Sequence, residues 1–287
     1  MIPLVVTNWL VNNGFGDVVS TKTVSGGCVN KCLVITTSSY RTLFLKTNSQ
    51  CPKDMFEREA EGLEELRIGK GPRVPKTYLY EDDFILLEDV KPSAPQENYW
   101  EKFGVQLATL HNQVNPRFGF YHNNYIGSTA QINNWMDDGY RFFAEQRLLY
   151  QAELAYKKGL MTVDDLKKLE HLANCLPMLI PSQKASLIHG DLWSGNLIPD
   201  LFGNPTLIDP ATHYGWAEAE LAMTSLFGGF PESFYFSYEE VHPLEPGYHT
   251  RFRVYNLYQL LNHVNLFGVD YYHQVKEILH YFSERKI

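Results

Sequence analysis

The chain changes its pattern near residue 90, from short apolar runs separated by turns to apolar residues at helical spacing. Residues 18–47 read VVSTKTVSGGCVNKCLVITTSSYRTLFLKT, in which β-branched and aromatic runs are broken by Gly-Gly and Ser-Ser-Tyr, as in consecutive antiparallel strands. The runs KTYLY and FILLE then flank the turn EDD. These runs predict a five-stranded antiparallel sheet in the first part of the chain.

One helix interrupts these strands. In DMFEREAEGLEEL, apolar residues recur at helical spacing from Met55 to Leu66. At about 100° per residue, Glu59 projects toward the apolar side, whereas the other three glutamates nearest to it, Glu57, Glu61 and Glu64, project roughly opposite. We therefore predict that Glu59 points into the fold.

The remainder of the chain favours helices. DVKPSAPQ is typical of a hinge, and WEKFGVQLATLH, DDLKKLEHLANCL and FRVYNLYQLLNHVNLF then carry apolar residues at helical spacing. The sequence predicts an α+β protein with two lobes. Residues 1–90 form a five-stranded sheet with one main helix, and residues 91–287 form a mostly helical lobe.

A compact polar stretch, HGDLWSGN at residues 189–196, lies between the apolar runs ASLI and LIPD, and TLIDPA follows after a turn. Two short strands joined by that turn would bring Asn196 and Asp209 near Asp191. Phosphoryl transfer requires an aspartate that accepts the proton of the attacking hydroxyl, and an amide oxygen and a second carboxylate that hold Mg²⁺. The five-residue step from Asp191 to Asn196 matches a kinase catalytic loop, with Gly190 in place of its arginine.

The first lobe offers nucleotide-binding groups in the order that kinases use. Its phosphate loop is SGGCVN, in which the predicted binding residues are Gly26, Gly27, Cys28 and Asn30. Lys46 would bind the α- and β-phosphates while pairing with Glu59, and LLEDV would offer backbone groups of Glu88 and Val90 to adenine. Each feature alone has an ordinary structural explanation, such as a hairpin turn or a surface lysine. Their joint order predicts ATP-dependent phosphoryl transfer.

Charge and cysteine content exclude several other classes of protein. The chain has 25 basic and 33 acidic residues, and its net charge of -8 would repel the phosphates of nucleic acid. Its four cysteines lack paired CxxC spacing, which favours a reducing cytoplasm and no structural zinc. No apolar run is long enough to span a membrane, so we expect no membrane partner.

These motifs together resemble the fructosamine kinases, or ketosamine-3-kinases, within the group that contains aminoglycoside phosphotransferases and choline kinases. The resemblance covers nearly the whole chain and includes HGDLWSGN, FEREAEGL, RFFAEQRL, ELAMTSLFGGFPESF and YQLLNHVNLFG. It implies ATP-dependent phosphorylation of the sugar 3-hydroxyl of a ketosamine, after which the adduct falls apart and frees the amine. By the family's pattern Asp191 is the catalytic base, Asn196 and Asp209 hold Mg²⁺, and Trp193 looks like an aromatic wall for the substrate.

Several alternatives stay open on the sequence. The acceptor could be a fructosamine, a ribulosamine or another small alcohol such as an aminoglycoside or choline, and an inactive nucleotide-binding module is a further alternative. Oxidation of Cys28 would give a redox switch, so both a monomer and a redox-dependent dimer are compatible with the sequence. The chain also has Glu220 where the family tends to carry Asp.

Overall fold

The computed structural model describes residues 2–24 and 30–284 of the chain. Its N-terminal lobe contains the predicted five-stranded antiparallel sheet, in which the strand order is β1-β2-β3-β5-β4. The elements of this lobe are α1 (Leu4–Asn12), β1 (Val18–Val24), β2 (Lys31–Thr37), β3 (Thr42–Thr47), α2 (Met55–Glu65), β4 (Thr77–Glu81) and β5 (Phe84–Glu88).

The two faces of this sheet are covered by different helices. Alternate residues of a strand point to opposite faces, so Phe84 and Leu86 pack with α1, whereas Ile85 and Leu87 belong to the main core with α2. The sequence prediction named only the second of these helices. The exposure of Leu4 on α1 explains the omission, because a short helix with apolar residues on its outer face lacks the alternation of polar and apolar sides that marks α2.

The C-terminal lobe is mostly helical, as predicted. Its helices are α3 (Tyr99–His111), α4 (Gly139–Phe143), α5 (Tyr150–Lys157), α6 (Val163–Asn174), α7 (Leu176–Leu179), α8 (Ala217–Leu226), α9 (Glu232–Glu239), α10 (Tyr248–Phe267) and α11 (Tyr272–Ser283), with a π-helical segment at Ala144–Leu149. The long helix α10 packs against α5, α8 and α11 and forms the centre of the lobe. No described helix combines the length and apolar character needed to cross a bilayer.

Short strands of the C-terminal lobe bracket the polar stretch at residues 189–196. These strands are β6 (Val114–Asn115), β7 (Asn124–Ile126), β8 (Thr129–Gln131), β9 (Ala185–Ile188), β10 (Leu197–Pro199), β11 (Pro205–Leu207) and β12 (His213–Gly215). Strand β9 ends where the stretch begins, and β10 pairs with β11 in antiparallel register from Leu197 opposite Leu207. The prediction of two short strands joined by a turn is thus confirmed.

An arginine in the segment between α2 and β4 connects the two lobes. The backbone carbonyl of Arg73 accepts a hydrogen bond from the N–H of Leu207 at 2.8 Å. Its guanidinium contacts Glu88 at the end of β5 at 2.6 Å and Asp200 in the β10–β11 turn at 3.7 Å. These contacts fix the end of β5 beside β11, the strand that precedes Asp209.

Candidate active site

The loop at residues 189–196 depends on a glycine at its second position. Gly190 has a φ of 85°, and a Cβ atom at this position would collide with the backbone carbonyl of Ala211. The two segments lie this close because the N–H of Ala211 donates to the carbonyl of His189 at 2.9 Å. The glycine that replaces the arginine of other kinase loops is therefore required by the contact with the segment that follows Asp209.

Asp191 and Asn196 are joined directly across this loop. The Asn196 Nδ2 donates to the backbone carbonyl of Asp191 at 2.8 Å and to its Oδ2 at 3.0 Å. Burial raises the pKa of Asp191 to about 7, although the hydrogen bond from Asn196 opposes this shift and the charge of Asp209 adds to it. A carboxyl group that titrates near neutral pH and is held in one orientation is well suited to accept a proton from a substrate.

The oxygen atoms of Asn196 and Asp209 fit a magnesium site. Because Nδ2 of Asn196 is engaged with Asp191, its Oδ1 is the atom that can face a metal, and amide and carboxylate oxygens are ligands of hard cations. The N–H of Ile208 donates to the carbonyl of Asn196 at 3.0 Å, so the residue before Asp209 is fixed to the catalytic loop. No three His, Cys, Asp or Glu side chains of the described ranges form a metal-binding group, so other ligands would have to complete the site.

Lys46 of β3 contacts two carboxylates, one from each lobe. It is 4% exposed, and its Nζ lies 2.7 Å from Oε1 of Glu59 and also contacts Oδ1 of Asp209. Burial by itself would lower the pKa of Lys46, but the charges of Asp209 and Glu59 outweigh it and the pKa is raised. Lys46 therefore stays protonated, which its predicted role in phosphate binding requires.

The inward direction predicted for Glu59 is confirmed. Its side chain is 12% exposed, whereas Glu57, Glu61 and Glu64 of the same helix are 45%, 32% and 77% exposed. The backbone at Asp209 is left-handed with a φ of 56°, a conformation that costs a non-glycine residue about 1–2 kcal/mol. This backbone holds the carboxylate toward Lys46, so that three side chains distant in sequence form one charged cluster.

The other predicted nucleotide contacts are placed only in part. Gly26, Gly27 and Cys28 lie outside the described residues, and the side-chain carbonyl of Asn30 accepts a hydrogen bond from Asn48 at 3.2 Å. The N–H of Glu88 donates to the carbonyl of Lys76 at 2.8 Å and its side chain binds Arg73. The N–H of Glu88 is therefore already paired, and Val90, the second residue after β5, is buried.

Trp193 lies on the open side of the catalytic loop. Its side chain is 39% exposed, and its indole ring packs over Gly195, where a Cβ atom would collide with the ring. The ring also makes an edge contact with Phe227, with 6.4 Å between the centroids. Trp193 is thus not a core residue, and its position beside Asp191 is compatible with the predicted wall of a substrate site.

Glu220 holds the backbone of the catalytic loop, a role that was not predicted from the sequence. This buried residue of α8 accepts hydrogen bonds from the backbone N–H groups of His189 at 3.0 Å and of Gly190 at 2.6 Å. Its carboxylate also contacts Nε2 of His111 at 2.9 Å, and Nδ1 of that histidine contacts the Tyr238 hydroxyl at 2.6 Å. Burial by itself would raise the pKa of Glu220. The hydrogen bond and charge of His111, together with the hydrogen bond from the N–H of Gly190, outweigh burial, so the pKa is lowered. The available signal was an acidic residue within the apolar helix ELAMTSLF.

In this site an amide holds one aspartate, and a second aspartate lies beside a buried lysine–glutamate pair. This arrangement defines a phosphotransferase of the two-lobed protein-kinase-like fold. The protein belongs to the fructosamine kinase family, whose model matches residues 7–284.

Relatives over nearly the whole chain agree with this family. A probable ketoamine kinase of Synechocystis sp. is 40% identical over 90% of this chain and 88% of its own length. The chloroplastic protein-ribulosamine 3-kinase of Oryza sativa subsp. japonica is 35% identical over 93% of this chain and 80% of its own length. The crystal structure of a candidate fructosamine-3-kinase from Thermobifida fusca superposes with a TM-score of 0.87 and 30% identity, covering 96% of this chain and 97% of that one. The protein is therefore a kinase that uses ATP.

Proposed function

We propose that the protein transfers the γ-phosphoryl group of ATP to the 3-hydroxyl of a ketosamine of the fructosamine or ribulosamine type. The observation that carries the proposal is the hydrogen bond between Asn196 and the carboxylate of Asp191, on a loop that also carries the exposed Trp193. Family membership and the name of the plant relative, a protein-ribulosamine 3-kinase, support the acceptor. The 3-phosphorylated adduct would then decompose and release the amine, which is a deglycation step.

In this mechanism Asp191 accepts the proton of the acceptor hydroxyl, and Asn196 keeps the carboxylate in one orientation. Orientation matters more than strong basicity, because phosphoryl transfer passes through a loose transition state with little nucleophilic assistance. Mg²⁺, held by Oδ1 of Asn196 and the carboxylate of Asp209, would neutralise charge on the phosphates. Lys46, fixed by Glu59, would bind the α- and β-phosphates from the other lobe.

The remaining assignments are proposals of the same kind. The nucleotide-binding residues are proposed to be Gly26, Gly27, Cys28, Asn30, Lys46, Glu59, Glu88 and Val90. We place the lobe boundary at residue 90, which separates residues 1–90 from 91–287, and leave open a monomer or a redox-dependent dimer. The cysteines that the structure describes, Cys32, Cys51 and Cys175, are all free thiols, which supports a cytoplasmic location.

ADP release with a panel of acceptors tests the proposed function. The panel contains ribulosamine and fructosamine adducts of one amine, choline and an aminoglycoside, all at equal concentrations with ATP and Mg²⁺. We expect ADP release with at least one ketosamine and background rates with choline and the aminoglycoside. Turnover of choline or the antibiotic together with background rates on every ketosamine would contradict the proposal.

Replacing Glu59 with glutamine should lower kcat/KM for ATP about tenfold or more. The neutral amide cannot balance the charge of Lys46, which is buried and then has Asp209 as its remaining carboxylate partner. Steady-state kinetics with varied ATP measures the effect. Glu64→Gln on the exposed side of the same helix is the matched control and should behave like the wild type, and a Glu59→Gln enzyme with wild-type kcat/KM would refute the proposed role of Glu59.

Trp193→Ala should raise KM for the ketosamine by about tenfold and change KM for ATP by less than about twofold. The indole is half-exposed beside the catalytic base and has no described contact with the N-terminal lobe, so its loss removes a stacking surface for the acceptor only. Varying each substrate in turn separates the two constants. Equal increases in both would argue against an acceptor site at Trp193.

A further inference from the structure

The indole of Trp193 is one end of a continuous aromatic surface. Five rings contribute to it from the catalytic loop, the segment after α8, the end of α10 and the 3₁₀ turn that follows, and we call them the aromatic surface: Trp193, Phe227, His263, Phe267 and Tyr271. Ring centroids are 6.4 Å apart between Trp193 and Phe227, 4.8 Å between Phe227 and His263, and 4.9 Å between His263 and Tyr271. The surface therefore extends from the catalytic loop to the C-terminal end of α10.

The outer part of the aromatic surface remains open to solvent. The side chain of Phe267 is 50% exposed at the end of α10, although it packs against His263 at 5.5 Å and Tyr271 at 6.1 Å between centroids. Trp193 and Phe267 are exposed at the two ends of the row, and the rings between them are partly exposed. Such a row of packed aromatic rings is a suitable surface for an apolar or cationic chain.

The histidine of this surface carries no charge that would repel a cation. Nδ1 of His263 lies 2.8 Å from the backbone carbonyl of Gln259, within its own helix. Burial lowers the pKa of His263, so the imidazole is neutral at neutral pH. The faces of neutral aromatic rings attract ammonium groups.

The chemistry of a ketosamine brings its amine close to this surface. The nitrogen is attached to C1 of the sugar and the reacting oxygen to C3, so the two atoms lie about 3–5 Å apart whatever the conformation between them. When the 3-hydroxyl contacts Asp191, the amine must therefore lie within one side-chain length of that residue. Trp193 is the second residue after Asp191, and its ring forms the near end of the aromatic surface.

We propose that the aromatic surface binds the amine part of the acceptor, with the secondary ammonium against Trp193 and Phe227 and its carbon chain along His263, Phe267 and Tyr271. The occupant is the side chain of a glycated lysine in a protein or peptide, whose long apolar stem matches a row of rings better than a small amine does. This inference rests on the proposed function and extends it, because it assigns residues that select the amine rather than the sugar.

The test compares two adducts that share one sugar and differ in the amine. The ribulosamine of Nα-acetyl-lysine has a long chain, and the ribulosamine of methylamine has none. We expect Phe267→Ala to lower kcat/KM about fivefold for the lysine adduct and less than about twofold for the methylamine adduct. Phe267→Leu, which keeps apolar bulk and loses the ring, should show an intermediate effect, and KM for ATP should not change in either variant.

Phe236→Ala is the matched control, since Phe236 is also an exposed phenylalanine, 68% exposed on α9, and lies outside the aromatic surface. It should leave both adducts unaffected. An unchanged ratio of the two kcat/KM values in Phe267→Ala would overturn the inference while the proposed function stands. If the wild-type protein phosphorylates neither adduct nor any fructosamine, the proposed function fails and the inference fails with it.

Discussion

Asp191→Asn is expected to lower kcat by about a hundredfold to ten-thousandfold while KM for ATP stays within about twofold of the wild-type value. Asparagine keeps the shape of the side chain and can still accept the hydrogen bond from Asn196, so the loop geometry is preserved. It cannot accept the proton of the acceptor hydroxyl. A coupled assay for ADP at saturating ATP and ketosamine measures kcat.

Two checks separate this loss of base from a loss of structure. Asp137→Asn changes an exposed aspartate outside the catalytic loop and should retain full activity. Binding of ATP to Asp191→Asn, measured by calorimetry, should match that of the wild type. Wild-type turnover by Asp191→Asn would show that another group accepts the proton and would remove the central assignment of the mechanism.

Glu220→Ala is expected to lower the free energy of unfolding by about 3–5 kcal/mol. The substitution leaves two backbone N–H groups of the catalytic loop and the ring of His111 without their shared acceptor in a fully buried position. Urea denaturation followed by circular dichroism measures the change. Because the loop loses its support, kcat should also fall in whatever fraction remains folded.

The control for Glu220 is an alanine substitution at an exposed glutamate. Glu170→Ala on α6 removes an acidic side chain from a solvated helix position and should change the free energy of unfolding by less than about 0.5 kcal/mol. Glu220→Gln keeps one acceptor oxygen and should be intermediate. A loss below about 1 kcal/mol for Glu220→Ala would mean that water replaces the carboxylate and that the loop does not depend on it.

The parts of the site that lie close together in sequence were predictable. The five-residue step from Asp191 to Asn196 sets a local turn, and the side of α2 on which Glu59 lies follows from helical geometry alone. The pairing of Lys46 with Asp209, 163 residues apart, was not predicted, because no local pattern encodes such a contact. The order of the kinase motifs indicated only that both residues belong to one site. The left-handed backbone at Asp209 had no sequence signal at all.

Contacts that depend on tertiary packing were not predictable. Glu220 meets His111 across 109 residues, and each looks like an ordinary helix residue until both are found in one buried space. The aromatic surface was unpredictable for the same reason. Phe227 follows α8, whereas His263 and Phe267 lie on α10, so these rings meet only when α10 packs on α8. Helix α1 was missed for a different reason, which is that its outer face is apolar as well.

The position of the transferred phosphate tests the account most directly. After reaction of the lysine ribulosamine with ATP and Mg²⁺, correlation of ³¹P with ¹H signals by nuclear magnetic resonance identifies the sugar carbon that carries the phosphate. In spectra recorded early, before the adduct decomposes, the account predicts a single phosphorylated sugar in which phosphorus couples to the proton on C3. This product should be absent from the Asp191→Asn reaction. A phosphate on another sugar oxygen, or ADP formed while the ribulosamine adduct stays intact and unphosphorylated, would contradict it.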